Sequence, residues 1–448
     1  MLEIMLLIRR KKMTLFNGVF SVTNVSFLML CLFVIVAIGY GLGRITIKGV
    51  NLGTAGVFIV ALLFGCFFFE PLMETLVLSK KVDGTTIKDV EFATQSVKQS
   101  LKIIENFGLI LFVTSVGFIA GPKFFGNLKK NFKSYILLGV VIILAGGLSA
   151  IGCIYLDKLL GVTEDPKGLT AMVVGLLSGS LTSTPAFSAA KATVAEKYES
   201  LVSVGHGIAY IFGVVGVVLF VQLVPKFMKA NMAEERAKLV QASDGETKKK
   251  GPAKLLEIDG FGFAAFAIAA ILGIALGSIK IPLTGAGFKA LVAGKDIVGT
   301  TFALTTTGGC LMLSLVLGHF GRIGKISLMP QEQTLKIFRE LGLMMFLVGA
   351  GIPGGAEFIK EFNIWYFVYG VIMTIVPMFI GFFVAKYVVK LSLLNNLGSI
   401  TGGMTSTPAL GTLIATAGTE DVASAYAATY PIALIAVVLV SQFLIILF

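Results

Sequence analysis

The charged residues of this 448-residue chain fall into short clusters. Between them lie twelve long stretches without Asp, Glu, Lys or Arg: 13–43, 49–69, 106–122, 134–156, 168–190, 200–225, 260–279, 297–321, 341–356, 362–385, 391–419 and 422–448. Most reach the roughly 17–25 apolar residues that a membrane-crossing helix requires. Two, 106–122 and 341–356, are marginal. The pattern predicts an all-α polytopic membrane protein. The first run follows Arg9-Arg10-Lys11-Lys12 but is too long for a signal peptide and lacks a small-x-small cleavage site. It reads as the first membrane helix, with residues 1–24 as a tail and Met13 as an alternative start.

Two polar stretches interrupt the apolar pattern. Residues 226–259 hold eight Lys/Arg and six Asp/Glu, which places this linker in the cytoplasm. Lys229–Val240 predicts a surface helix, and Asp244–Pro252 a flexible connection. Residues 70–105 carry mixed charge, with helix-compatible spacing around Phe92, Val97, Leu101 and Ile104, and read as an extramembrane hairpin.

Composition agrees with a membrane setting: 56% of residues are hydrophobic and 14% charged, against about 25% charged in soluble domains. The net charge of +12 sits largely in loops between apolar runs. It therefore reflects positive-inside orientation rather than nucleic-acid affinity. Cys31, Cys66, Cys153 and Cys310 each lie alone in a different apolar run and read as small core residues, with neither a metal site nor a disulfide framework.

The chain is also written twice. Leu42-Gly43-Arg44-Ile45-Thr46-Ile47 is echoed by Leu276-Gly277-Ser278-Ile279-Lys280-Ile281, and LILFVTSVGFIAGPKFF (109–125) by LMMFLVGAGIPGGAEFI (343–359). The pentapeptide TSTPA occurs at 182–186 and again at 405–409, and Tyr210 and Gln222 match Tyr430 and Gln442. Two homologous membrane units follow, 25–225 and 260–448, as in many secondary transporters. A plain Lys/Arg tally does not decide whether they run parallel or inverted.

TSTPA is a polar knot inside apolar sequence. Proline lacks an N–H and suits the first turn of a helix, and the preceding threonine is pushed towards extended backbone and caps well. Thr184-Pro185 and Thr407-Pro408 therefore predict new helices beginning at membrane depth. The glycines of GLLSGS (175–180) and GSITGG (398–403) mark where the incoming helices end. Irregular backbone at that depth is tolerated only inside protein or along a polar cavity. A helix N-terminus facing such a cavity attracts an anion, most simply a carboxylate. Thr182, Ser183, Thr184, Pro185, Thr405, Ser406, Thr407 and Pro408 are thus candidate substrate-binding residues. A Thr-Pro pair also makes mere kinks, but duplication at equivalent places favours a site.

Other candidates flank the knots. His206, Tyr210 and Tyr430 are placed to line the same cavity, together with Tyr426, the counterpart of His206. His206 reads equally as a proton-coupling group and as interhelical glue. Gln222 and Gln442 read as helix ties, and His319 as interfacial. Lys191 reads as a snorkelling side chain. Gly117, Gly349 and Gly351 read as close helix contacts. No membrane-embedded Asp or Glu is evident as a proton carrier.

With its paired knots, Leu-Gly-x-Ile-x-Ile openings and GLILFVTSVG/GLMMFLVGAG helices, the chain resembles the aspartate:alanine exchanger family of bacterial secondary transporters. The likeness spans nearly all of both halves. It implies inverted repeats of about five transmembrane helices, each with a broken re-entrant hairpin at TSTPA, and both termini outside. It further implies a multi-pass protein of the bacterial cytoplasmic (inner) membrane, a homodimer working by elevator-like displacement, and exchange of amino acids or dicarboxylates such as succinate. Many members carry a large regulatory domain pair between the halves, where this chain has only 226–259.

The leading expectation is an antiporter of small anionic or zwitterionic substrates in the lipid bilayer, without cofactor, metal or nucleic-acid partner. A proton- or sodium-coupled carboxylate symporter on the same scaffold is the alternative. A channel fits doubled broken segments less well. An enzyme fares poorly with two histidines and no nucleophile–base pair. The absence of a Walker motif excludes ATP-driven transport by this chain alone.

Overall fold

The computed structural model describes residues 13–15, 20–22, 24–47, 50–51, 55–75, 80–82, 85–87, 90–243, 256, 258–283, 301–323 and 325–448. Its helices are α1 (Asn24–Arg44), α2 (Ala55–Thr75), α3 (Val90–Asn131), α4 (Leu137–Leu160), α5 (Pro166–Ser180), α6 (Thr184–Thr193), α7 (Glu199–Phe227) and α8 (Met232–Ser243). They continue with α9 (Phe263–Gly277), α10 (Thr305–Phe320), α11 (Glu332–Glu361), α12 (Ile364–Phe383), α13 (Leu393–Gly403), α14 (Thr407–Ala417) and α15 (Ala423–Leu447). Strands occur only as two- and three-residue hairpin pairs among the described residues.

Seven spans among the described residues are long and apolar enough to cross a membrane: Ser26–Arg44, Val97–Pro122, Ser134–Leu160, Glu196–Phe227, Glu332–Glu361, Ile364–Val388 and Ala423–Leu447. Shorter apolar helices cover Gly56–Phe69, Phe263–Gly277 and Thr305–Phe320. The chain is an all-α polytopic membrane protein. Apolar runs 168–190 and 391–419 are each split into two helices at TSTPA, as their prolines predict.

Three expectations change. The first run opens with a strand pair, Met13–Leu15 and Phe20–Val22, before α1 begins. The polar stretch 70–105 is not one hairpin: a strand pair at Lys80–Val82 and Thr85–Ile87 is followed by α3, which starts at Val90 and runs on into a membrane span. Val97 and Leu101 are buried, so the apolar spacing noted there belongs to a packed helix. The linker's surface helix starts at Met232 rather than Lys229, while residues 244–252 lie outside the described residues.

The helices form two compact units. The smaller comprises α1, α2, α3 up to Leu109 and α11 from Gly342. Its core joins Phe27, Cys31 and Ile35 of α1, Val57, Ala61 and Leu72 of α2, Leu101 of α3, and Val348 and Ile352 of α11. The larger unit holds the rest of α3 and α11 with nearly everything else. There Leu111 and Phe118 of α3 pack with Phe266 and Ala269 of α9 and Leu335 of α11.

Small residues set how closely the larger unit's helices approach. A Cβ at Gly175 of α5 would meet the Val202 carbonyl oxygen of α7, and one at Gly205 of α7 would meet the Met172 carbonyl oxygen of α5. In the second half, Gly398 and Gly402 of α13 stand in the same way against the Val422 and Tyr426 carbonyl oxygens, at 2.8 and 2.7 Å from the place a Cβ would take. Backbone-to-backbone contact through glycine is a membrane packing mode, because no hydrophobic effect separates helix from lipid. Gly117, Gly349 and Gly351 also each have another helix within 3 Å of the would-be Cβ, with backbone atoms among the neighbours at Gly117 and Gly349 and the Ala61 side chain at Gly351.

Candidate functional site

Each knot is a helix stop and a helix start fused into three residues. At the first, Thr182 N–H donates to Gly179 O (2.9 Å) and Ser183 N–H to Ser178 O (2.8 Å). At the second, Thr405 N–H donates to Gly402 O (3.1 Å) and Ser406 N–H to Thr401 O (3.0 Å). These paired bonds are the Schellman closure of a helix, which needs a left-handed residue and normally takes glycine. Here that residue is threonine, Thr182 at φ 50° and Thr405 at φ 51°. The serine that completes the closure is extended and also caps the outgoing helix: Ser183 at φ −100°, ψ 99° and Ser406 at φ −93°, ψ 95°. The expected cap therefore moves one residue back. Thr184 and Thr407 are the first helical residues rather than extended caps, and Pro185 and Pro408 take the next position, where a missing N–H leaves no gap.

The threonines explain why glycine is absent. Thr182 Oγ1 donates to Met404 O at 3.0 Å, and Thr405 Oγ1 donates to Leu181 O at 2.7 Å. Each knot thus bonds the residue preceding the other's left-handed threonine, a reciprocal clasp between segments over 200 residues apart. These two hydroxyls, expected among the substrate-binding groups, hold the knots to each other in this structure.

The remaining hydroxyls differ between knots. Ser183 Oγ accepts from Ala186 N–H at 3.3 Å, so the N-terminus of α6 is capped by its own chain. Ser406 Oγ is fully buried and has no hydrogen-bond partner among the described residues, and α14 has no side-chain cap. Thr184 is buried. The side chain of Thr407 lies outside the described residues.

His206 of α7 is fully buried, its Nδ1 2.8 Å from Ser178 Oγ of α5, and its ring stacks on Phe187 of α6 with centroids 4.1 Å apart. It serves as interhelical glue in this arrangement. Tyr210 lies beside it, 5.1 Å between ring centroids, and is within electrostatic reach of Tyr430, whose ring stacks on Tyr426 at 5.0 Å. The structure therefore brings His206 to the first hairpin and sets Tyr210, Tyr426 and Tyr430 together.

Four further residues depart from or extend expectation. Lys191 is buried over the Phe187 ring, Nζ 5.8 Å from its centroid, rather than snorkelling. Arg339 of α11 acts electrostatically on Tyr430, a charge that a marginal apolar run gave no reason to single out. Asp157, inside the span Ser134–Leu160, is fully buried and accepts from Thr163 N–H (3.1 Å), Thr163 Oγ1 (3.3 Å) and the Tyr369 hydroxyl (3.2 Å). Buried Glu105 lies within Val97–Pro122. Embedded acids are thus present: both stand at the ends of apolar runs, where sequence alone reads them as loop charges. Gln442 ties α15 to Ala303 O at 3.0 Å as expected, Gln222 is half-buried, and His319 is exposed at the end of α10.

The bases of the hairpins are also fixed. At the α5–α6 hairpin, Asp165 caps α5 by accepting from Lys167 N–H (3.1 Å), and its carboxylate accepts from Tyr198 just beyond α6. The Tyr198 hydrogen bond, with the backbone N–H groups and the Lys197 charge, holds the Asp165 carboxyl below the usual carboxylate range. A depressed value means a contribution present above the unfolded value, near 3.9, and lost only as pH falls through the folded one. Amide exchange at Lys167–Thr170 is therefore expected to stay flat from pH 8 to 5 and to quicken below about pH 4 relative to a peptide reference. In Asp165→Asn the faster exchange is expected at every pH. A wild-type transition near pH 6 would contradict this assignment.

At the α13–α14 hairpin both ends meet α8. Glu235 Oε2 accepts from Leu393 N–H at 2.9 Å, and Arg236 Nη1 donates to Ala417 O at 3.0 Å.

Comparison with known proteins agrees with the doubled architecture. A family profile described as a predicted permease membrane region, that of the aspartate:alanine exchangers, matches residues 31–226 and 265–446. An uncharacterized transporter of Bacteroides fragilis (strain YCH46) is 27% identical, covering 92% of this chain and 96% of its own length. An uncharacterized transporter of Rhodopirellula baltica is 24% identical over 93% and 99%. The first alignment runs to 567 positions, so that relative carries stretches this 448-residue chain lacks. Matched in both halves on either side of its linker, the chain belongs to the aspartate:alanine exchanger family.

Proposed function

We propose that this chain is a secondary antiporter exchanging small carboxylates or amino acids, aspartate/alanine-like or dicarboxylate, across the bacterial cytoplasmic membrane. It works as a homodimer of inverted-repeat protomers by elevator-like alternating access. The reciprocal Thr182–Thr405 clasp carries the reading, because it joins two buried helix breaks into one centre.

Connectivity favours the inverted arrangement. The base of the α5–α6 hairpin is closed by Asp165 and Tyr198, next to the start of α7. α7 has 29 residues, about 43 Å at 1.5 Å per residue, enough for a hydrocarbon core of about 30 Å. At its far end comes α8, which meets both ends of the α13–α14 hairpin. Two re-entrant hairpins that enter from opposite faces and touch at their tips account for these contacts. The basic linker favours the cytoplasm for the α8 side.

The open end of α14 is the preferred anion position, with Ser406 Oγ and the Ala409 N–H as donors in a buried setting. The self-capped α6 is the weaker one. Arg339 near Tyr430 adds positive potential on the same side of the centre as α15. Buried Asp157, within hydrogen-bond reach of Tyr369, favours a second reading in which a proton or sodium ion accompanies substrate.

Counterflow in proteoliposomes separates the two readings. Uptake of labelled aspartate or succinate is expected to require an internal carboxylate or amino acid. Ser406→Ala is expected to raise the half-saturating concentration about tenfold, as for a lost hydrogen bond to a charged group. Ser183→Ala is expected to lower thermal stability by about 1 kcal/mol, as for a lost cap, more than it weakens binding. Uptake into empty vesicles driven by a proton or sodium gradient would install the symporter reading.

A further inference from the structure

Linker helix α8 does more than connect the halves. Two consecutive residues of opposite charge grip the two ends of one hairpin, and each meets the helix end that suits it. Glu235 Oε2 takes the Leu393 N–H at the N-terminus of α13, where the helix dipole favours an anion. The natural cap of α13, Ser392, makes no side-chain cap bond, so the linker carboxylate stands in for it. Arg236 Nη1 takes the Ala417 carbonyl at the C-terminus of α14, where the dipole favours a cation. Gly418 follows in the left-handed conformation at φ 66°, and a Cβ there would lie 2.7 Å from Arg236 Nη1. The glycine thus serves both the helix stop and the room for the guanidinium. Lys238 flanks Glu235 at 2.5 Å and fixes its carboxylate from the other side.

The first hairpin has no such arrangement among the described residues. Its two ends close on each other through Asp165 and Tyr198. One hairpin is shut by its own base, and the other by a segment that belongs to neither repeat.

We propose that α8 is a cytoplasmic strap on the α13–α14 hairpin, with Glu235 and Arg236 as positioning residues for the substrate position at its tip. The inference rests on the reading of Ser406 and α14 as the anion-binding end. With the strap engaged, both ends of the hairpin are held and the α14 N-terminus stays registered on the clasp. With it released, the hairpin opens towards the linker side and substrate held at Ser406 escapes to that face. Whatever pulls on the linker therefore adjusts affinity on one face of the membrane and not the other.

Two readouts test this on the full-length protein. The first is the half-saturating concentration for aspartate counterflow, measured separately on the linker face and the opposite face of sorted vesicles. The second is independent of substrate. It is the rate at which a membrane-impermeant maleimide added on the linker side labels Thr412→Cys, on α14, after the four native cysteines are replaced by alanine. Glu235→Gln and Arg236→Gln are each expected to raise half-saturation on the linker face about two- to fivefold, the range for a lost charge at a helix end. The opposite face should be unchanged and labelling should quicken similarly. Arg236→Lys, which keeps a donor for Ala417 O, is expected to recover most of the wild-type value. Labelling and half-saturation unchanged in both glutamine variants would overturn the strap. So would equal shifts on both faces, which report general loosening. If Ser406→Ala binds normally while the strap variants still label faster, the substrate reading falls and the strap remains as a hairpin clamp. If Ser406→Ala binds weakly and the strap variants match wild type, the strap alone falls.

Discussion

Valine at both Thr182 and Thr405 is expected to lower exchange by about tenfold or more, and either valine alone to lower it by nearly as much. Each substitution keeps the β-branched shape and removes one hydroxyl. It thereby strands one buried carbonyl, Met404 O or Leu181 O. Leaving a buried polar group unsatisfied costs about 1–3 kcal/mol, and a decade of rate corresponds to about 1.4 kcal/mol. The two bonds close one ring of contacts, so loss of either loosens the geometry of the other. A double-mutant cycle should therefore show coupling rather than additivity. Thr→Ser at both positions restores the donors and is expected to recover activity. Wild-type counterflow in the double valine variant would remove the clasp from the mechanism.

The second large effect concerns glycine. Alanine at Gly175 drives its Cβ into the Val202 carbonyl, and alanine at Gly205 meets the Met172 carbonyl. Both obstacles are backbone, which yields less readily than a side-chain tip, so α5 and α7 must part along their length. Overpacking of this kind costs about 1–3 kcal/mol at one site, and the combined Gly175→Ala/Gly205→Ala variant is expected to give no monodisperse protein. Gly152 of α4 has nothing within 4 Å of its would-be Cβ. Alanine there should be neutral or raise the melting temperature, since helix propensity favours alanine by up to about 1 kcal/mol. Size-exclusion profiles and thermal melts in detergent read both signs. Equal tolerance at Gly175 and Gly152 would mean that α5 and α7 are not in backbone contact.

Much of this was legible in the sequence because membrane patterning is coarse and local. Uncharged runs marked the spans, and Thr-Pro marked where runs 168–190 and 391–419 break. What stayed hidden depends on tertiary contact. That Thr182 sits where glycine normally closes a helix shows only once the Ser183 N–H is seen to reach Ser178 O. Identical letters in the two knots gave no sign that Ser183 caps its own helix while Ser406 does not. Lys191 misled because long basic side chains near helix ends usually find water, whereas this one lies over Phe187. Asp157 stands directly beside Lys158 at the end of an apolar run, and only the Tyr369 hydroxyl 212 positions away marks it as interior. Glu235 and Arg236 look like ordinary residues of a solvated helix until both hairpin ends arrive beside them.

Thr182 and Thr405 carry a further meaning in their backbone. A β-branched residue at φ near 50° is held away from its preferred conformations, and such a residue stores roughly 1–3 kcal/mol of strain. Two of them face each other across the clasp, each wound by the helix closure of its own knot and joined to the other by side-chain hydrogen bonds. That strain is set against the two buried hydrogen bonds that join the knots and offsets part of what they contribute. The centre of the molecule is thus a strained joint, held by less net free energy than its contacts alone suggest.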